Sequence, residues 1–230
     1  MSQKLVAAID SMFALRRAAQ GLQVTIPPTA ASKVTAGAGL LISCLDLGKA
    51  MAAIVRDDPN GGWLAAHVLQ RPQMEHFLRG AFFLGLASEE EARRFIEKDK
   101  LPVRSEGRKK GATTISLSEM ADEVDRKWGW GDKLKHAVDG TKRDLHGAVH
   151  GGAQVVRIYC SKGEIGVPSV PAKDLVGMFC NPLVFSAQAL LLLSRDENVT
   201  VEDRRSLNEV LQRAREATRQ AGESLDQGAN

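Results

Sequence analysis

Asp139, Arg143, His146, His150, Gln154 and Arg157 recur at spacings of three and four, and every one is polar. On a helix that spacing sets them in a single row. The row offers two imidazoles, two guanidiniums, an amide and a carboxylate, where an ordinary solvated face is rich in Lys and Glu. Such a set can do acid–base work, because imidazole titrates near neutral pH. It can also grip phosphate, because a guanidinium donates through a planar fork. A second stripe, Leu134, Val138, Thr141, Leu145, Ala148, Gly152, Val156 and Tyr159, is mostly apolar or small. The two stripes lie roughly 100° apart on a 3.6-residue wheel. One edge of the stretch from Leu134 to Tyr159 can therefore pack while the next presents its polar groups. Gly140, Gly147, Gly151 and Gly152 sit among them, each weakening a helix interior by about 1 kcal/mol relative to Ala. Either they admit a close neighbour, or Gly151-Gly152 ends the helix and a new element starts at Gln154. The pattern keeps its phase through the glycines, which favours one continuous helix.

A second polar row lies upstream. His67, Arg71, Glu75 and Arg79 are four residues apart, so Arg71 with Glu75 and Glu75 with Arg79 can pair across a helical turn. As a solvated ladder the row contributes little. Apolar residues crowd both of its flanks, however, so it is expected to be half buried, where charges need partners. The two rows can partner each other, either as a polar cleft or as a purely structural network.

Metal binding and the common catalytic signatures are weaker readings. His146 and His150 have the i,i+4 spacing that brings two imidazoles onto one ion. No Glu adjoins His146, so the metalloprotease motif is absent, and Arg143 in the same row repels a cation. No metal and no cofactor are expected. There is no GxSxG elbow, no GxxxxGK phosphate loop and no GxGxxG turn.

The elements that must position these rows are all helical. The chain of 230 residues is 43% hydrophobic and 26% charged, with net charge +3. That composition suits one globular domain with an ample core, and the charge is too small to announce nucleic acid. Cys44, Cys160 and Cys180 are odd in number and widely spaced, which fits reduced thiols in a cytoplasm. Lys4 and Asp10 and the lack of a long apolar run argue against a signal peptide. Ala187 to Leu193 is too short to span a bilayer, and Gly37 to Val55 is interrupted by Asp46 and Lys49, so no membrane partner is expected.

Helices are expected over Lys4 to Gln20, Ser32 to Val55 and Trp63 to Ala87, the last with a kink or break at Pro72. Capping-box patterns at Ser88 to Glu91 and Ser116 to Glu119 start two shorter helices, ending near Lys98 and Trp128. Asp99 to Thr114 has no periodicity and carries Lys100, Arg104, Arg108, Lys109 and Lys110. It reads as a solvated loop or as a basic flap that meets phosphate. Ser161 to Pro171 is a loop. Asp174 to Ser194 is apolar, with Pro182 at a kink or a new helix start. The final helix begins after Thr200, and the chain frays from Ala221. No segment has the alternation of a strand. The expected architecture is an all-α bundle of about seven or eight helices in one domain, residues 1–221, with a frayed tail over 222–230.

Arg71, Pro72 and Glu75 in an RPxxE segment, Arg79 after it, and His150-Gly151-Gly152 later in the chain resemble a group of uncharacterised bacterial helical proteins of unknown function. Looser similarity exists to the HEPN superfamily, helical proteins common in bacterial toxin and antiphage systems. Its nuclease members carry an Arg, a polar residue and then a His four to six residues on, which Arg143, Asp144 and His150 resemble. That resemblance implies an HEPN-like bundle working across a homodimer interface and cleaving RNA without metal. It implies Arg143 as the phosphate grip, His150 as base or acid and His146 beside them. Arg71, Glu75, Arg79, Asp139 and Arg157 would then orient the substrate, and a cognate antitoxin or defence-system protein would be the partner. The competing expectation is a non-catalytic helical binding or regulatory module whose rows form a buried network or a ligand pocket.

Overall fold

A computed structural model of the chain describes residues 1–22, 31–103, 114–149, 156, 159–160, 170–195 and 201–226; the side chains of residues 141–148, 201 and 224–226 lie outside that description. Among the described residues the regular structure is helical, as expected. The helices are α1 (Gln3–Gly21), α2 (Ser32–Asp57), α3 (Trp63–Gly85), α4 (Glu89–Lys98), α5 (Leu117–Trp128), α6 (Lys133–Val149), α7 (Ala172–Met178), α8 (Cys180–Leu193) and α9 (Val201–Asp226). Only Phe179 separates α7 from α8. Counted as one bent helix, they bring the described bundle to eight.

Local chemistry explains the starts of α4 and α5. Ser88 and Ser116 each accept the backbone N–H three residues on, from Glu91 and Glu119, and those carboxylates accept back from the serine N–H groups at 2.8 Å. Both are complete capping boxes. The α7–α8 bend falls at Phe179, and Pro182 sits in the first turn of α8, where a missing N–H costs no helical hydrogen bond. Pro72 does not break α3, which runs through it to Gly85. Helix α9 continues to Asp226, and Ala221, at the head of the stretch expected to fray, is buried.

Helix α2 is the central post: α1, α3, α4 and α8 all pack on it. It meets α3 closely at two glycines. A Cβ on Gly37 would lie 3.1 Å from the Gly80 carbonyl oxygen, and a Cβ on Gly80 would lie 3.1 Å from the Gly37 carbonyl oxygen. Only the missing side chains let these backbones approach so closely. Gln73 of α3, fully buried, locks three helices at once. Its Nε2 donates to Ser186 Oγ (2.9 Å) and to the carbonyls of Pro182 (3.2 Å) and Cys44 (3.4 Å). Helices α2 and α7–α8 are long and apolar enough to cross a membrane by length and composition. Here they supply core residues, including Leu41, Leu45, Met51, Val55, Leu183, Leu190 and Leu193. The basic segment expected as loop or flap falls largely outside the described residues, but its flanks meet, with Ile115 N–H donating to the Pro102 carbonyl at 3.0 Å.

Candidate functional site

Helix α3 presents Arg71, Glu75 and Arg79 as one bonded row. Arg71 Nε donates to Glu75 Oε1 at 3.1 Å, and Arg79 Nη2 donates to Glu75 Oε2 at 3.0 Å. Each partner takes one carboxylate oxygen, as the i,i+4 spacing on both sides of Glu75 demands. The side chains of Arg71, Glu75 and Arg79 are only 27%, 20% and 26% exposed, so the row is half buried, as its apolar flanks suggested. Two guanidiniums face one carboxylate, which leaves the row with a surplus positive charge. Arg79 Nε is buried and finds no acceptor among the described residues. A buried donor left unmade is costly.

Histidines flank the row on both sides. The His67 ring stacks on Trp63 with centroids 5.3 Å apart, and its Nδ1 lies 3.2 Å from Gln70 Nε2, which also reaches the Met178 carbonyl. His76 Nδ1 lies 2.9 Å from Ser43 Oγ of α2. Burial, and then the Arg79 guanidinium, hold His76 below the ordinary imidazole value, against a smaller opposing pull from Glu75.

The stretch carrying the other row starts from a buried carboxylate. Asp125 of α5, 1% exposed, accepts from Leu134 N–H (3.1 Å) and Lys135 N–H (2.8 Å) and so satisfies two of the free amides of the α6 first turn. Leu134 and Val138 of the apolar stripe are buried, whereas Asp139, first of the polar row, is exposed. Helix α6 packs on α3 and α5. Two clefts place the described ends of the stretch along α3. One, of about 250 Å³, brings Leu134 and Ala137 together with Phe77. The other, of about 510 Å³, brings Tyr159 together with Leu64 and Val68.

The predicted residues thus divide. Arg71, Glu75 and Arg79 form a joined set, and Asp139 faces solvent. Arg143 and His146 belong to α6 by backbone, with side chains outside the description, and His150 and Arg157 lie outside the described residues. Among the described residues no group of three His, Cys, Asp or Glu side chains is placed to hold a metal ion. Sequence reasoning passed over Asp125, whose role rests on the α5–α6 turn, and the aromatic cleft around Trp130. The only local signal for that cleft was Trp128-Gly129-Trp130-Gly131, two glycines at positive φ around an indole.

Residues 42–212 match a family of unknown function, DUF6988. The chain belongs to this family. The matched span takes in α3, α5, α6 and α8 whole, and with them both polar rows and the aromatic cleft, while α1 lies before it. No curated protein and no solved structure matches the chain.

Proposed function

We propose that this chain is an HEPN-like helical protein of the cytoplasm that cleaves RNA without a metal ion, within a bacterial defence or toxin module. The observation that carries the reading is the half-buried Arg71–Glu75–Arg79 row, two guanidiniums on one carboxylate, on α3. In this reading His150 removes the proton from a ribose 2′-OH, and the 2′-oxygen attacks phosphorus. The 5′-oxygen leaves with a proton taken from solvent, giving a 2′,3′-cyclic phosphate and a 5′-hydroxyl, and His150 then returns its proton to solvent. Arg143 grips the non-bridging oxygens as charge builds on them. His146, Asp139 and Arg157, with the α3 row, hold the strand in place. The active form is a homodimer, restrained by a cognate antitoxin or defence-system protein.

The test is direct. Purified full-length chain in excess chelator should cut RNA and leave DNA of the same sequence intact, because only RNA carries the attacking hydroxyl. Absence of cleavage on all RNAs tried, with the protein folded and dimeric, rejects the nuclease reading. A specific observation favours a second reading in that event, a non-catalytic binding module: the aromatic cleft beside α6 is built whether or not the polar rows do chemistry.

A further inference from the structure

The cleft of about 250 Å³ between α3, the α5–α6 turn and α8 has a composition that a mere packing defect lacks. Phe77 and Phe185 form its buried floor, their ring centroids 5.5 Å apart, and Trp130 stands beside Phe77 at 6.0 Å. Trp130 is held there by local geometry: Gly129 and Gly131 both adopt positive φ, and its own N–H donates to the Asp125 carbonyl at 3.0 Å. Three polar side chains, Lys133, Asn181 and Gln188, line the same cleft. Asn181 and Gln188 lie two turns apart on α8, with Val184 between them, so both amides belong to one face. Among the described residues none of the three has a hydrogen-bond or ion-pair partner. Lys133 and Ala137 lie on the other edge of α6 from Asp139, so this cleft is separate from the polar row.

We infer that the cleft is a nucleotide site, with the base seated against Trp130 and Phe185, its edge read by Asn181 and Gln188, and its phosphate held by Lys133. A base needs a flat apolar wall, which the aromatic side chains supply. Its edge carries donors and acceptors together, and a carboxamide offers both, unlike a carboxylate or an ammonium. The cleft, at about 250 Å³, falls just below the roughly 300–1,000 Å³ of pockets for drug-sized ligands, a size suited to a base. The site does not require the nuclease reading: it can hold one nucleotide of an RNA strand or a free nucleotide in a protein that cleaves nothing.

Adenosine monophosphate titrated into the full-length chain tests this, read by tryptophan fluorescence and by calorimetry. AMP should bind and quench, and ribose 5-phosphate should not bind. Trp130→Leu should weaken AMP by about 5- to 150-fold, the range of one lost base–aromatic stack. Should Trp130→Leu fail to fold, Gln188→Ala and Asn181→Ala, at half-exposed positions, should each weaken AMP. Lys133→Ala should weaken AMP while leaving adenosine unchanged. No binding of AMP at millimolar concentration overturns the proposal. So does equal binding of ribose 5-phosphate, which makes the cleft a phosphate site only. Benzoate competing as well as AMP also overturns it, because a flat apolar wall is then all that the cleft recognises.

Discussion

Asp125 and Leu134 are nine residues apart, and the carboxylate of the first accepts the backbone N–H of the second at 3.1 Å inside the core. Its other oxygen takes Lys135 N–H at 2.8 Å. One buried side chain near the end of α5 thereby sets where α6 begins, and with it the phase of every polar residue further along that helix. Asp125→Ala should cost about 1–3 kcal/mol, since it removes a cap and strands two amides away from water. Asp125→Asn should recover part of this, because an amide keeps one acceptor oxygen. Urea unfolding measures both. A loss below about 0.5 kcal/mol for the alanine variant would mean that solvent replaces the carboxylate and that α6 does not depend on it.

The glycine contact between α2 and α3 supports a second expectation. A methyl group at Gly37 meets Leu84 Cγ at 2.5 Å as well as the Gly80 carbonyl, which is backbone and cannot rotate away. Alanine in a helix gains about 1 kcal/mol over glycine. Forcing the two backbones apart should outweigh this, with Gly37→Ala less stable by about 1–3 kcal/mol. Gly39, two residues on, has open space around its Cα, so Gly39→Ala is the control and should be neutral or stabilising. If both variants gain stability, the close approach is not a constraint.

Within the α3 row, Glu75 is the shared partner. Glu75→Ala leaves Arg71 and Arg79 facing each other in a half-buried setting and should cost about 1–3 kcal/mol. Arg71→Ala should cost less, because Arg79 still pairs with the carboxylate. A double-mutant cycle between Arg71 and Glu75 gives the coupling. A value below about 0.5 kcal/mol would place the pair with ordinary surface bridges.

These relationships differ in how far the sequence displays them. Ser88 with Glu91, and Ser116 with Glu119, are four-residue patterns whose bonds close within one turn, so the starts of α4 and α5 could be read directly. The Arg71–Glu75–Arg79 row is periodic for the same reason, and its burial followed from Phe77, Leu78 and Ala81 beside it. Gln73 shows the limit. It looks like any polar residue on an amphipathic helix, yet its partners lie 29, 109 and 113 residues away. Nothing local marks it as the bolt between α2, α3 and α8. Gly37 and Gly80 likewise acquire meaning only once two helices are laid side by side, and the cleft at Trp130 needs four elements assembled. Pro72 misleads in the other direction: its effect on a lone helix is a break, while the packing of α3 on α2, α5, α6 and α8 holds the helix together through it.

His76 should make the fold sensitive to mild acid. Its folded value lies below the ordinary 6.5 because burial and Arg79 disfavour the imidazolium. Between 6.5 and that lower value the unfolded chain binds more protons than the folded one, so stability falls as pH is lowered. The contribution is complete above 6.5 and is lost as pH drops through the folded value. His76→Gln keeps a polar group opposite Ser43 but does not titrate. It should flatten the slope of unfolding free energy between about pH 7 and pH 5, measured by urea denaturation at each pH. An unchanged slope would assign the acid sensitivity to other groups.

The nuclease proposal turns on Arg143 and His150, seven residues apart in sequence, the spacing that two turns of a helix would span. If His150 moves the proton, His150→Ala should lower the cleavage rate about 10²–10⁴-fold in chelator. Arg143→Lys should fail nearly as badly, because an ammonium cannot reproduce the two-pronged grip of a guanidinium on phosphate. The unfolding midpoint should stay close to that of the parent chain in both variants if the row lines an open cleft. Glu75→Gln then separates orientation from chemistry. An orienting role raises KM with kcat little changed, whereas a direct role in proton transfer lowers kcat itself. Activity that survives His150→Ala would point to a contaminating nuclease. Activity abolished by chelator would point to a metal at His146 and His150. Either outcome would overturn the metal-independent mechanism, whatever the nucleotide titrations of the Trp130 cleft return.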